Sequence, residues 1–191
     1  MITHLRGKLV EKHPTEIIVE CNGIGYEVKI SLNTFSSLSD DEAVFIHTQF
    51  IVREDAQILY GFNSKEERQI FNQLISVSGI GPNTAMIMLS SLTPEEVISA
   101  IQSEDVKTIQ SVKGIGLKTA QRVIVDLKDK MSKIEIASEN IFNNNNTNRF
   151  DAFTALSSLG FDKKAIDKAL DKITTGTESV EELIKGALKI L

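Results

Sequence analysis

Two glycine bends with matching neighbours recur 35 positions apart in this chain of 191 residues. Val77-Ser78-Gly79-Ile80-Gly81-Pro82-Asn83-Thr84-Ala85 aligns with Val112-Lys113-Gly114-Ile115-Gly116-Leu117-Lys118-Thr119-Ala120. Leu74 matches Ile109 upstream, and Met88-Leu89 matches Val123-Ile124 downstream. A helix, a Gly-Ile-Gly bend and a second helix form a device for holding an anion. The glycines permit a tight turn and carry no Cβ to keep a phosphate away from the backbone. The first N–H groups of the following helix are unpaired and sit at the positive end of its dipole. Ile80 and Ile115 are expected to pack inward and hold each helix pair together.

The candidate phosphate-contacting set is Gly79, Ile80, Gly81, Asn83 and Thr84 in the first copy. In the second it is Lys113, Gly114, Ile115, Gly116, Lys118, Thr119 and Arg122. Lys118 and Arg122 are four residues apart, so they share a helix face and can meet one run of phosphates, with the Thr119 hydroxyl as a further donor. Such contacts grip a backbone and read no bases, which predicts sequence-independent, salt-sensitive affinity.

Other chemistries fit less well. No strand precedes the glycines and no third glycine follows, as a dinucleotide site requires. Lys118-Thr119 resembles the end of a P-loop but lacks its spacing. Cys21 is the only cysteine and His4, His13 and His47 are scattered, so no metal or cofactor is assigned and no catalytic residue is named. Asp126 and Asp129 read as a solvated helix face, and adjacent Glu54 and Asp55 make a poor octahedral Mg²⁺ site. The net charge is −5, divided as −4 over residues 1–64, −1 over 65–140 and 0 over 141–191. No segment is basic, so affinity for nucleic acid must come from a few placed groups and from repetition of the chain in an oligomer.

The elements that must position these residues change period along the chain. Residues 1–63 alternate like strands. Asn22-Gly23 is a type I′ hairpin signal, 43–52 is a further β run, and Arg53-Glu54-Asp55 leads into another, which suggests a small barrel. From residue 64 to 140 the period is helical, with capping-box patterns at Ser64-x-x-Glu67 and Thr93-Pro94-Glu95-Glu96. Residues 141–149 contain the run Asn-Asn-Asn-Asn-Thr-Asn and read as a flexible linker. Three helical patterns follow, at 150–159, 162–173 and 179–191. In the last of these Val180, Leu183, Ile184, Ala187, Leu188 and Leu191 share a face. The reading is an α+β multidomain chain. No apolar run is long enough for a membrane span and the N-terminus lacks signal-peptide features, so a cytoplasmic protein is expected.

The tandem helix-hairpin-helix pair, together with Arg53-Glu54-Asp55-Ala56-Gln57-x-Leu59-Tyr60-Gly61-Phe62, resembles the RuvA family. That family binds Holliday junctions and serves the RuvB branch-migration motor. Ile2-x-x-Leu5-x-Gly7, Gly23-x-Gly25-Tyr26 and Leu159-Gly160-Phe161 carry the resemblance across the chain. It implies an N-terminal OB-type barrel, a central tandem helix-hairpin-helix domain, and a mobile C-terminal three-helix (UBA-like) module that contacts RuvB. It further implies a homotetramer, sometimes doubled to an octamer, that holds a four-way junction open in recombination, repair and the SOS response, with the RuvC resolvase in the full complex.

By the same resemblance Arg53 lies at the crossover and Glu54 and Asp55 form an acidic pin near a fourfold axis. Four copies would gather eight carboxylates there, and like charges about 4 Å apart repel by about 1 kcal/mol even in water. Asn83 and Leu117 stand where many relatives carry basic residues, so the second bend is ranked above the first. Two other readings stay open. One is a helix-hairpin-helix DNA-processing enzyme such as a nuclease or glycosylase, and the other is a scaffold in which the bends serve only packing.

Overall fold

The alternating N-terminal segment folds into five strands, β1 (His4–His13), β2 (Glu16–Cys21), β3 (Ile24–Ile30), β4 (Ala43–Val52) and β5 (Gln57–Phe62). In this computed structural model the described backbone is that of residues 1–39, 41–139, 144–173 and 178–191, and side chains are described within those ranges up to 131 and from 148 onward. The strands close into a barrel in the order β1-β2-β3-β5-β4, an OB-like topology. The β3–β5 seam is parallel and the others are antiparallel. Asn22 and Gly23 turn β2 into β3 with φ of 51° and 82°, the left-handed pair that a type I′ turn demands. Leu5, Ile17, Val19, Val28, Ile30, Val44, Ile46 and Leu59 fill the interior, as period-two alternation requires.

Between β3 and β4 lies a helix that the sequence reading did not anticipate, α1 (Leu32–Ser37). Its six residues are too few to show a helical period, and the surviving signal is the N-cap, Ser31, whose side chain accepts the Thr34 N–H.

Helices α2 (Lys65–Ile75), α3 (Pro82–Ser91), α4 (Pro94–Gln102), α5 (Val106–Ser111) and α6 (Leu117–Glu139) follow. The Thr93 capping box forms in full at α4. The one expected at Ser64 forms by half. Ser64 Oγ accepts the Glu67 N–H, but the Glu67 carboxylate turns away from the N-cap into a buried site. There it accepts from Ser31 Oγ at 2.6 Å, Thr34 Oγ1 at 2.7 Å and the Asn63 N–H at 3.3 Å. A buried carboxylate needs donors, and two barrel hydroxyls supply what the cap cannot. Tyr60 and Phe62 on β5 stack against Phe71 on α2, with ring centres 5.1 and 4.9 Å apart. Joined in this way, residues 1–133 form one compact unit.

The second unit, residues 134–191, contains α7 (Asn144–Ser158), α8 (Lys163–Ile173) and α9 (Val180–Ala187). Ala152, Leu156, Ile166, Ala169, Leu170, Leu183 and Ala187 form its core. Two expectations need correction. α7 begins at Asn144, inside the Asn run, because extending a helix nucleated by the apolar face of 152–156 costs little even for poor formers. Residues 141–143 of the expected linker lie outside the described residues. α9 ends at Ala187 and not at the C-terminus, and Leu188 and Leu191 are exposed instead of continuing the buried stripe.

Candidate nucleic-acid interface

The two bends have nearly the same backbone. Gly79 and Gly114 have φ of 98° and 92°, a conformation that side chains rarely adopt. In each, the isoleucine N–H bonds back to the valine carbonyl, Ile80 to Val77 at 3.0 Å and Ile115 to Val112 at 3.1 Å. The second glycine of each pair accepts the first bond of the following helix, Ala85 N–H to Gly81 at 3.0 Å and Ala120 N–H to Gly116 at 2.9 Å. Ile80 and Ile115 are each 5% exposed, so both pack inward as expected. Leu74 and Ile109 are fully buried, as are Met88, Leu89 and Val123. The helices flanking the bends differ in length. α2 and α3 have 11 and 10 residues, whereas α5 and α6 have 6 and 23.

The bends present their open sides to solvent. Gly79, Gly81, Gly114 and Gly116 are exposed, as are Asn83, Lys113, Lys118 and Arg122, while Thr84 and Thr119 are half-buried. A Cβ placed on Gly81, Gly114 or Gly116 would meet no atom within 4 Å. Space therefore remains for a ligand oxygen to approach the backbone. Gly81 is the N-cap of α3 and offers no side-chain acceptor to its first turn, and Pro82 takes the position that needs no N–H.

The two bends also touch. A Cβ on Gly79 would stand 3.7 Å from Thr119 Cγ2, and Arg122 Nη1 donates to the Ser78 carbonyl at 3.4 Å. Side chains from the helix behind the second bend thus reach the first. This bond takes one of the five donors on the Arg122 guanidinium.

Capping residues hold the second bend in place. Asp105 begins α5 by accepting the Lys107 and Thr108 N–H groups at 3.1 and 3.2 Å and the Thr108 hydroxyl at 2.6 Å. These bonds, the hydroxyl first, hold its carboxyl below the ordinary aspartate range. Glu104 pairs with Lys128 on α6, which lowers the carboxyl of Glu104 in turn. Asp126 and Asp129 are exposed, as a solvated face would be.

Arg53, Glu54 and Asp55 occupy the exposed link between β4 and β5. The strands pair up to Val52 and Gln57, and the Arg53 N–H donates to Ala56 at 2.8 Å, so the two carboxylates sit at the tip of a tight hairpin. The side chains that the sequence reading missed are Ser31, Asn33, Thr34 and Glu67. They join the barrel to α2 and α3; the sequence signals are a serine after a strand and the Ser64-x-x-Glu67 pattern, which assigns Glu67 to a local cap. Among the described residues no helix is long and apolar enough to cross a membrane.

Comparison with known proteins covers most of the chain. A family described as RuvA N terminal domain matches residues 1–61, a SAM-like helix-hairpin-helix tandem matches 71–129, and a RuvA C-terminal domain matches 147–191. Over the full length of both chains, the sequence is 54% identical to the Holliday junction branch migration complex subunit RuvA of Christiangramia forsetii and 51% identical to that of Flavobacterium psychrophilum. It is 39% identical to the subunit of the same name from Legionella pneumophila, covering all of this chain and 98% of the relative.

Proposed function

The chain belongs to the RuvA family, and from that premise we propose that it binds Holliday junction DNA and serves branch migration as the junction-binding subunit, performing no chemistry itself. The observation that carries this reading is the pair of matching bends, open to solvent and linked by the Arg122 bond to the Ser78 carbonyl. Bare amides at Gly79–Gly81 and Gly114–Gly116, with Lys113, Lys118, Thr119 and Arg122 beside them, suit two stretches of phosphate backbone. Asn83 and Thr84 add uncharged contacts at the first bend, and Ile80 and Ile115 set the shape of the bends from beneath. Phosphate contacts position a duplex without reading it, so selectivity must come from the shape of the DNA.

Repetition supplies that shape in this reading. A homotetramer presents eight bends to four arms, with Arg53 and the Glu54-Asp55 pin at the crossover, where the carboxylates repel phosphates and keep the strands apart. Two tetramers on opposite faces give an octamer. The ATPase is a separate chain, RuvB, which docks on the C-terminal unit. Exposed Leu159, Phe161, Leu188 and Ile190 provide apolar surface there. RuvC joins the full complex, and the setting is the bacterial cytoplasm, within recombination, repair and the SOS response. The nuclease or glycosylase alternative finds no support in the relatives' names.

The test mixes the purified chain with a four-way junction and with linear duplex of the same sequence, with Mg²⁺ present. Tight junction binding, weaker duplex binding and intact strands are expected. Strand cleavage or base release would favour an enzyme, and absence of DNA binding would favour a scaffold.

A further inference from the structure

A hydrogen-bond network, buried at Ser31, Thr34 and Glu67 and half-buried at Asn33, ties the pin-bearing barrel to the helices that carry the bends, and its members include no candidate DNA contact. On one side of α1, Ser31 Oγ and Thr34 Oγ1 each donate to one oxygen of Glu67 on α2. Both hydroxyls are used twice, since Ser31 Oγ also accepts the Thr34 N–H at 3.0 Å and Thr34 Oγ1 accepts the Asn63 N–H at 3.3 Å. On another side, Asn33 Nδ2 donates to the Leu89 and Leu92 carbonyls at 2.6 and 2.9 Å, at the end of α3. The Leu32 N–H donates to Ser90 Oγ at 3.1 Å, and that hydroxyl donates on to Met86 at 2.7 Å.

α2 and α3 are the two helices flanking the first bend, so a six-residue piece of the barrel holds both of them. The first bend is in turn bonded to α6, which starts at the second bend, through Arg122 and the Ser78 carbonyl. β5 leads away from the pin at one end and reaches Asn63 of the network at the other. At about 3.3 Å per residue its six residues span about 20 Å. The carboxylate accepts from three donors, and each hydroxyl both donates once and accepts once, so the bonds support one another and hold α1 against α2.

We propose that Ser31, Asn33, Thr34 and Glu67 are positioning residues that fix the bends relative to the acidic pin, and that this fixed geometry sets the preference for a four-way junction over linear duplex. The inference rests on the junction-binding reading. A bend grips phosphates equally well on a linear arm and on a junction arm. Only at a junction do the arms held by the bends converge on the pin, and its repelling carboxylates fit the open crossover only where the bends hold the strands at the matching spacing. Loosening the network therefore weakens junction binding and spares duplex binding.

The test uses the full chain carrying Thr34→Val, which keeps the shape and removes the donor, Thr34→Ser, which restores the donor, and Asn33→Ala, which removes the bonds to α3. Affinities for junction and duplex are measured across a salt series, alongside thermal unfolding. In Thr34→Val and Asn33→Ala the junction-over-duplex ratio is expected to fall about ten-fold, with duplex affinity and its salt slope unchanged. Thr34→Ser should keep the wild-type ratio. Should Thr34→Val fail to fold, Asn33→Ala decides alone. If junction and duplex affinities fall by one common factor, or the ratio stays at its wild-type value, the network serves stability only and the proposal is overturned. A wild-type chain without junction preference would instead overturn the function on which the proposal rests.

Discussion

A methyl group on Gly116 would meet no protein atom within 4 Å, yet in the proposed grip it would stand where a phosphate oxygen approaches the backbone. Gly116→Ala should therefore leave thermal unfolding almost unchanged and weaken DNA binding, with each charge-assisted bond removed costing about 1.5–3 kcal/mol. Gly114→Ala has the same open space but a φ of 92°, and left-handed backbone costs a residue with a Cβ about 1–2 kcal/mol. That variant should unfold at lower temperature as well as bind more weakly. The pair separates a glycine kept for its backbone angle from one kept for its bareness. Lys118→Ala should lower affinity for all sequences alike and reduce the magnitude of the salt slope by about 0.9 for each phosphate that is no longer neutralised. A changed base preference, measured by binding competition between unrelated duplexes, would show that backbone gripping is the wrong mechanism.

Among the elements, the caps decide what holds each bend in place. Thr93→Ala removes the reciprocal bonds at the start of α4 and should cost about 1 kcal/mol in chemical denaturation, with DNA affinity at the bends retained. Asp105 gives a pH dependence of definite sign. Its folded pKa is depressed, so its contribution to α5 is complete above the ordinary aspartate value and is lost as pH falls through the folded value. Asp105→Asn should flatten that acid-side decline in unfolding midpoint relative to the wild type. Elements of this kind were largely legible in the sequence. Alternation marked the strands, Asn22-Gly23 marked its turn, and the repeat marked both bends with Ile80 and Ile115 inward. What escaped was non-local. α1 is shorter than two helical turns, and the two hydroxyl partners of Glu67 lie more than thirty residues upstream, so a local capping rule assigned that carboxylate to the wrong neighbour. The start of α7 escaped because composition describes average behaviour, whereas a helix can extend from a nucleus that the run itself lacks.

At the scale of the molecule, the chain divides after Lys133 into two compact units with separate cores, and the bends and the pin both belong to the first. The second has its own reasons to fold. Gly160, at φ 94°, ends α7 and lets the Phe161 N–H reach back to Leu156, while Arg149 pairs with Asp167 and Asp171 on α8. Cutting at residue 149 would split α7, so the informative truncation ends after Glu139, keeping α6 whole and removing α7 through α9. Residues 1–139 should bind a four-way junction as tightly as the full chain. Branch migration driven by RuvB should disappear, because the exposed apolar residues at Leu159, Phe161, Leu188 and Ile190 go with the second unit. Gel-shift titration and a strand-exchange assay on the same preparation measure the two activities separately. Loss of both in a truncated chain that still shows cooperative unfolding would mean that junction binding draws on both units, and the division of labour would be wrong. Loss of branch migration alone would place the motor contact in residues 140–191. Single polar replacements at Leu159 and Leu188 would then narrow it, since neither side chain is part of the helical core.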